Sequence, residues 1–154
     1  MHSRLDYCNS IFYGLSDRSI ARLQSIQNRA AKTIVGGLKF DHVSPVLNRI
    51  HWLTVDKRIL FKICVMMFKC VKGVAPKYLI DKCRQKRSVL VGCQLRSVAS
   101  NSLIVPPTQL KIDTRNFAVF GPVVWNSLPR SLRKPELTFP VFKKNLKTFL
   151  FSLD

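Results

Sequence analysis

The stretch that decides the fold is residues 55–72, which read VDKRILFKICVMMFKCVK. Apolar residues recur there at intervals of three or four, the spacing that gathers them on one face of an α-helix. Thr54 can cap this helix, and Gly73 ends it. Successive helical residues turn by about 100°, so four basic side chains share an arc of about 80°: Arg58, Lys62, Lys69 and Lys72. The stretch predicts an amphipathic helix with an apolar side for the core and a basic outer face.

A second helix with the same charge spacing is predicted earlier in the chain. Ser16 and Asp17 are suitable cap residues, the helix runs to about Val35, and Gly36-Gly37 ends it. Its predicted apolar stripe consists of Ile20, Leu23, Ile26, Ala30 and Ile34. Its basic face consists of Arg18, Arg22, Arg29 and Lys32. The sequence therefore predicts two helices that each present a basic face.

Three shorter helices are expected around these two. The first covers Arg4 to Tyr13, where apolar residues again have helical spacing. The second begins at Ser44-Pro45, with proline in the first turn, and ends near Trp52. The third opens at Ala75-Pro76 and includes Cys83.

The helical period is lost near Arg84–Ser88, and residues 86–109 are rich in Ser, Val and Pro. Leu95–Ala99 and Leu103–Val105 are predicted to be two short strands that form a small β-hairpin. We therefore expect a helical region over residues 1–84 and a C-terminal module over residues 85–154.

Helices are predicted again towards the C-terminus. Asp113 or Thr114 can cap a helix that Gly121-Pro122 breaks or kinks, and Trp125–Pro129 is expected to be a turn. The last helix carries an apolar stripe of Phe139, Phe142, Leu146, Phe149, Leu150 and Leu153, beside Lys143, Lys144 and Lys147. The predicted fold class is mainly α, an irregular helical bundle with a small β-hairpin insertion in its second half.

The charge balance indicates a polyanionic partner. Lys and Arg total 26 and Asp and Glu total 8, which gives a formal net charge of +18. Self-repulsion of this size opposes compaction unless a polyanion offsets it. RNA or DNA is the first candidate and an acidic membrane surface the second; a merely basic protein, or one with an acidic partner domain, remains an alternative.

The candidate nucleic-acid-binding residues are Arg18, Arg22, Arg29, Lys32, Arg58, Lys62, Lys69, Lys72, Lys143, Lys144 and Lys147. Phe61 and Phe68 are either base-stacking platforms or, preferably, core residues.

Several other classes of function are disfavoured by the sequence. Polymerase and nuclease chemistry needs closely placed carboxylates that hold two metal ions, and no two acidic residues are adjacent here. No GxxxxGK loop is present, and the three histidines are too scattered to predict a metal site. Five cysteines without CxxC spacing indicate reduced thiols in an intracellular protein of the nucleus or cytoplasm. The apolar run from Ile59 to Val71 is too short to span a membrane. We expect no enzyme, cofactor, metal or membrane association.

Short sequence blocks distributed over nearly the whole chain point to a family. They include Ser3–Ser10, Arg22–Gln24, Gln27–Ala31, Asp41-His42, Pro45–Leu47, His51–Leu53, Arg58-Ile59, Phe61-Lys62, Ala75-Pro76, Leu95–Ser97, Val105-Pro106, Trp125–Pro129, Phe142-Lys143 and Leu146–Thr148. In this order they resemble the segment that follows the polymerase domain in Jockey-like non-LTR retrotransposons. The chain departs from the family pattern at Pro107, where an arginine is usual, and at Asp113–Phe117, where Gly-Asp-Arg-Ala-Phe is usual.

The resemblance implies a non-catalytic C-terminal region of a reverse transcriptase polyprotein. The polymerase and endonuclease active sites of that family would lie upstream, so the implied partners are the upstream polymerase domain and template RNA or target DNA. The two departures indicate a decayed or truncated copy of the element. The alternative is an interaction or structural module left over from such an element, with no nucleic-acid role.

Overall fold

A computed structural model describes residues 5–36, 42–83, 101–108, 110 and 114–153. Over these residues the chain is mainly helical, which confirms the predicted class. It forms two compact units, residues 1–60 together with 153–154, and residues 61–152. The predicted boundary between residues 84 and 85 falls where a described range ends, and it stays a prediction. The helices are α1 (Asp17–Val35), α2 (Val43–Arg49), α3 (Val55–Val71), α4 (Lys77–Ile80), α5 (Phe117–Ser127) and α6 (Phe139–Phe151).

The first unit begins with a broken helical segment instead of the single helix predicted over Arg4–Tyr13. Residues 5 and 6 are helical, and a separate 3-10 turn covers Asn9–Phe12. Cys8 lies between them with φ of 51°, a left-handed conformation that a right-handed helix cannot contain. The predicted helices α1 and α2 are confirmed, and α1 ends at Gly36 with φ of 69°.

The buried side of α1 differs from its predicted apolar stripe. Gln27 and Ala31 are fully buried, whereas Ile26 is 45% and Ile34 63% exposed. The Gln27 Nε2 amide donates a hydrogen bond of 2.8 Å to the carbonyl of Leu53. This polar contact sets the rotation of the helix, because a buried amide and a buried carbonyl each cost free energy when left unpaired.

The start of α3 is held by α1 and not by the predicted Thr54 cap. The Val55 N–H donates to Gln24 Oε1 at 2.8 Å. The Thr54 hydroxyl is buried, and within the described residues it has no hydrogen-bond partner. An N–H group at the start of α3 is therefore capped by a glutamine side chain of α1, and not by the adjacent threonine that the sequence predicted.

The second unit has an aromatic and aliphatic core between α3, α5 and α6. Phe68 of α3 stacks on Phe142 of α6 with ring centroids 4.3 Å apart. Trp125 of α5 lies 6.1 Å from the same Phe142 ring. Ile63 and Leu146 are completely buried in this core. The predicted apolar sides of α3 and α6 thus pack in part: Phe68, predicted beside the basic face, joins the core, and Leu153 of the predicted α6 stripe is 53% exposed.

Helix α5 continues through Pro122, so of the predicted break or kink at Gly121-Pro122 the break does not occur. Residues 125–127 of the predicted turn are helical, so the turn prediction is wrong for them. Proline removes one helical hydrogen bond, but burial of Val124 and Trp125 on the following turn favours continuation. Gly121 permits a close approach of α5 to α3, since a Cβ there would lie 2.6 Å from Met67 Sδ.

The predicted second strand of the hairpin is an extended segment tied to α5 by side chains. Among residues 101–108 only Leu103 makes a bridge, and no sheet forms in the described part of the chain. Asn126 Oδ1 accepts from the Leu103 N–H at 2.9 Å, and Asn126 Nδ2 donates to the Leu103 carbonyl at 2.9 Å. Trp125 Nε1 donates to the carbonyl of Asn101. These bonds hold the segment against α5. The predicted first strand, Leu95–Ala99, lies outside the described residues.

Asn126→Asp is expected to lower the free energy of unfolding by about 1–3 kcal/mol. Aspartate keeps the acceptor for the Leu103 N–H but sets a carboxylate oxygen against the Leu103 carbonyl, so that these two oxygens face each other without a donor. Urea denaturation followed by circular dichroism measures the change. Asn145→Asp on the exposed side of α6 makes the same substitution and should stay within about 0.5 kcal/mol of the wild type. Equal effects of the two variants would contradict the role given to Asn126.

Candidate nucleic-acid interface

The basic residues of α1 lie on the first unit and away from its buried side. Arg18, Arg22 and Arg29 are exposed, and Lys32 is half-buried. Their arc lies opposite Gln27 and Ala31, which α1 buries. The basic face predicted from the spacing of these four residues is therefore part of the surface of the first unit.

Arg58, one of the predicted candidates, is paired with a carboxylate in the first unit. Its Nε donates to Asp6 Oδ1 at 2.9 Å, and its Nη2 donates to Asp6 Oδ2. This is the two-point geometry in which guanidinium and carboxylate bind best. Much of the charge of Arg58 is thus offset inside the first unit, and its guanidinium is less available to a phosphate than its position on α3 suggested.

In the second unit, lysines from two distant parts of the chain converge on one aromatic ring. Lys69 Nζ lies 5.3 Å and Lys143 Nζ 5.5 Å from the centroid of Phe139. The two ammonium groups are therefore no farther apart than these two distances together. Lys72 Nζ lies 5.5 Å from the centroid of Phe68 and also donates to the carbonyl of Pro135. We call Lys69, Lys72, Lys143 and Phe139 the lysine cluster.

The lysine cluster has no carboxylate to neutralise it within the described residues. The acidic residues described in the second unit are Asp81 and Glu136, and neither forms an ion pair with a lysine of the cluster. The three lysines are exposed. Cation–π contact with a phenylalanine orients an ammonium group but does not cancel its charge. The cluster therefore presents a local excess of positive charge to solvent.

The other predicted lysines of the second unit are also on its surface. Lys62 and Lys144 are exposed. Lys147 is exposed and lies 5.8 Å from the centroid of Phe151. They add positive charge to the surfaces of α3 and α6, but they do not share the Phe139 ring of the lysine cluster.

The aromatic residue at this surface is not one that the sequence singled out. Phe68 is 4% exposed and stacked on Phe142, so it is a core residue, as the preferred interpretation had it. Phe61 is half-buried. Phe139 was assigned only to an apolar stripe, yet it is the ring that two lysines share. In the sequence, its role was indicated only by its position at the start of α6, a helix that carries three lysines.

The three described cysteines of the second unit are buried and are not exposed nucleophiles at this surface. Desolvation by burial raises the pKa of the Cys64 thiol to about 12, so it stays protonated near neutral pH. Cys70 and Cys83 are both buried. Interaction between the two thiols lowers the pKa of Cys70 and raises that of Cys83, and the Cys83 thiol donates to Met67 Sδ at 3.8 Å. Across the described ranges, no group of three or more His, Cys, Asp or Glu side chains is arranged to hold a metal ion.

The helices of residues 5–36, 42–83 and 114–153 include none with the length and apolar character needed to cross a membrane. Comparison with known proteins finds no matching family model, no similar curated protein and no similar solved structure.

Proposed function

We propose that this chain is a non-catalytic C-terminal region of a Jockey-like non-LTR retrotransposon reverse transcriptase, and that it binds template RNA or target DNA through basic helix surfaces. The family assignment rests on the ordered sequence blocks from Ser3–Ser10 to Leu146–Thr148. In this proposal the polymerase and endonuclease domains lie upstream and supply the catalysis. This chain binds the nucleic acid and positions it for those domains.

The observation that carries the binding proposal is the lysine cluster. Lys69 of α3 and Lys143 of α6 meet beside Phe139, and Lys72, which directly follows α3, lies over the Phe68 ring. No described carboxylate is paired to these three lysines. Lysine is a point charge that contacts phosphate without reading sequence. We therefore expect binding that depends on salt and hardly on base sequence.

The test is a salt series with a single-stranded RNA of unrelated sequence. Three phosphate contacts predict that the logarithm of the association constant falls against the logarithm of the salt concentration with a slope of about −2 or steeper. Filter binding between about 50 and 200 mM potassium chloride measures the slope. An unchanged affinity across this range would overturn the proposal.

A second candidate function is protein interaction, and exposed apolar residues on α1 favour it. Ile26 and Ile34 are 45% and 63% exposed, although the sequence predicted both for the core. Apolar groups left in solvent on one helix mark a surface for another protein when they are contiguous. Light scattering at increasing protein concentration, without nucleic acid, separates the two functions. Self-association with flat salt dependence of RNA binding would favour interaction.

A further inference from the structure

The first unit contains an open groove that the proposal above does not use. Its volume is about 700 Å³, and it lies along α1 and against the start of α2. Ala21 and Val43 form apolar parts of its wall. The remaining lining side chains are polar or basic, namely Gln24, Ser25, Asn28, Arg29, Lys32 and Thr33. We call this the α1 groove.

A relay of hydrogen bonds fixes the orientation of one amide in the α1 groove. The Val55 N–H donates to Gln24 Oε1 at 2.8 Å, so Gln24 has its oxygen turned towards α3. Gln24 Nε2 then donates to Asn28 Oδ1 at 2.7 Å. Because the oxygen of Asn28 is occupied, its Nδ2 hydrogens are the groups left for a ligand, and no described residue accepts from them. The groove wall thus holds a donor in a set direction.

Two cations accompany this donor, and none of the described residues that line the groove carries a carboxylate. Arg29 and Lys32 are on the wall beside Asn28. Thr33 donates its hydroxyl hydrogen to the carbonyl of Arg29, one turn earlier. A fixed amide donor with an adjacent guanidinium and ammonium is suited to a phosphate oxygen. Ala21 and Val43 suit the less polar sugar next to it.

We infer that the α1 groove binds one phosphodiester of a nucleic-acid strand, with Asn28 Nδ2, Arg29 and Lys32 as donors. This inference rests on the proposed function, but it places a separate site on the first unit. It also assigns Asn28, a residue without charge, a direct role in binding.

The experiment uses the full chain and two readouts. Side-chain amide signals of Asn28 are followed by NMR during titration with inorganic phosphate, and separately with a short single-stranded oligonucleotide. Affinity for the oligonucleotide is then compared between Asn28→Asp and Asn48→Asp. Aspartate at position 28 keeps the acceptor for Gln24 but replaces the donor with a negative oxygen. Asn48 is exposed on α2 and outside the groove lining, so the control adds the same charge to the same unit.

We expect the Asn28 amide to shift with both probes and Asn28→Asp to weaken oligonucleotide binding by about tenfold, against about twofold or less for Asn48→Asp. Arg29→Gln, which leaves the relay intact, should weaken it severalfold. An Asn28 amide that moves with neither probe, together with equal affinities of the two aspartate variants, overturns this site while salt-dependent binding elsewhere stands. A shift with phosphate alone, in a chain that does not bind the oligonucleotide, overturns both this inference and the proposed function.

Discussion

Replacing Trp125 by alanine is expected to lower the free energy of unfolding by about 3–5 kcal/mol. The side chain is 2% exposed and packs near Phe142, which is completely buried. Truncation leaves a cavity in the core of the second unit. It also leaves the Asn101 carbonyl without the indole N–H that now donates to it at 2.9 Å. A loss of this size is a large part of the total stability of a domain.

Two further variants separate the contributions of cavity and hydrogen bond. Trp125→Phe keeps most of the ring volume but removes the N–H, and we expect a loss of about 1–2 kcal/mol. Val123→Ala lies on the exposed side of the same helix and should change stability by about 0.5 kcal/mol or less. Urea denaturation followed by circular dichroism gives all three values. A Trp125→Ala variant as stable as Val123→Ala would show that α5 is not packed as described.

The double charge reversal Lys69→Glu with Lys143→Glu is expected to weaken RNA binding by about a hundredfold at low salt. Both ammonium groups lie beside the ring of Phe139, so reversal replaces two attractive charges by two repulsive ones in one place. The slope of affinity against salt should become shallower by about 2. Loss of two exposed cation–π contacts costs about 1–2 kcal/mol of stability, so the variant should remain folded.

The matched control reverses two lysines of the same unit outside the lysine cluster. Lys77 and Lys82 are exposed and contact neither Phe68 nor Phe139. Lys77→Glu with Lys82→Glu changes the net charge by the same amount and should weaken binding several-fold at most. If both double variants lose affinity equally, binding depends on net charge alone and not on the cluster. Thermal melting of each variant checks that the fold is retained.

The helices that were predictable are those whose periodicity extends over several turns. In α1, α3 and α6 the apolar and polar positions repeat often enough to define both the element and its approximate ends. The basic faces followed directly, because a face depends only on positions within one helix.

What could not be predicted depends on contacts between distant residues. Gln27 is buried and Ile26 half-exposed because Leu53 offers a carbonyl to the amide, which no periodicity within α1 reveals. The extended segment at Leu103 has the alternation of a strand, yet its described partner is the side chain of Asn126. Continuation of α5 through Pro122 depends on core packing that outweighs a local helix-breaking preference.

The basic residues of the candidate surface were predicted from the sequence, but tertiary contacts decide which of them are paired and which lie together. Arg58 has the correct spacing for a basic face, but Asp6, 52 residues earlier, pairs with it. Lys69 and Lys143 were each recognised, although their meeting at Phe139 depends on α3 and α6 packing through Phe68 and Phe142. Convergence of this kind is a property of the folded chain and not of any single segment.

The two glutamines of α1 have a consequence for which changes this region can tolerate. Gln24 and Gln27 bind the backbone at Val55 and Leu53, so their contacts depend on the register of α1 against that segment. Inserting or deleting one residue in α1 before them would rotate both amides by about 100° relative to the first turn of the helix. Surface substitutions leave this register unchanged. The first unit should therefore accept many changes of residue and very few changes of length.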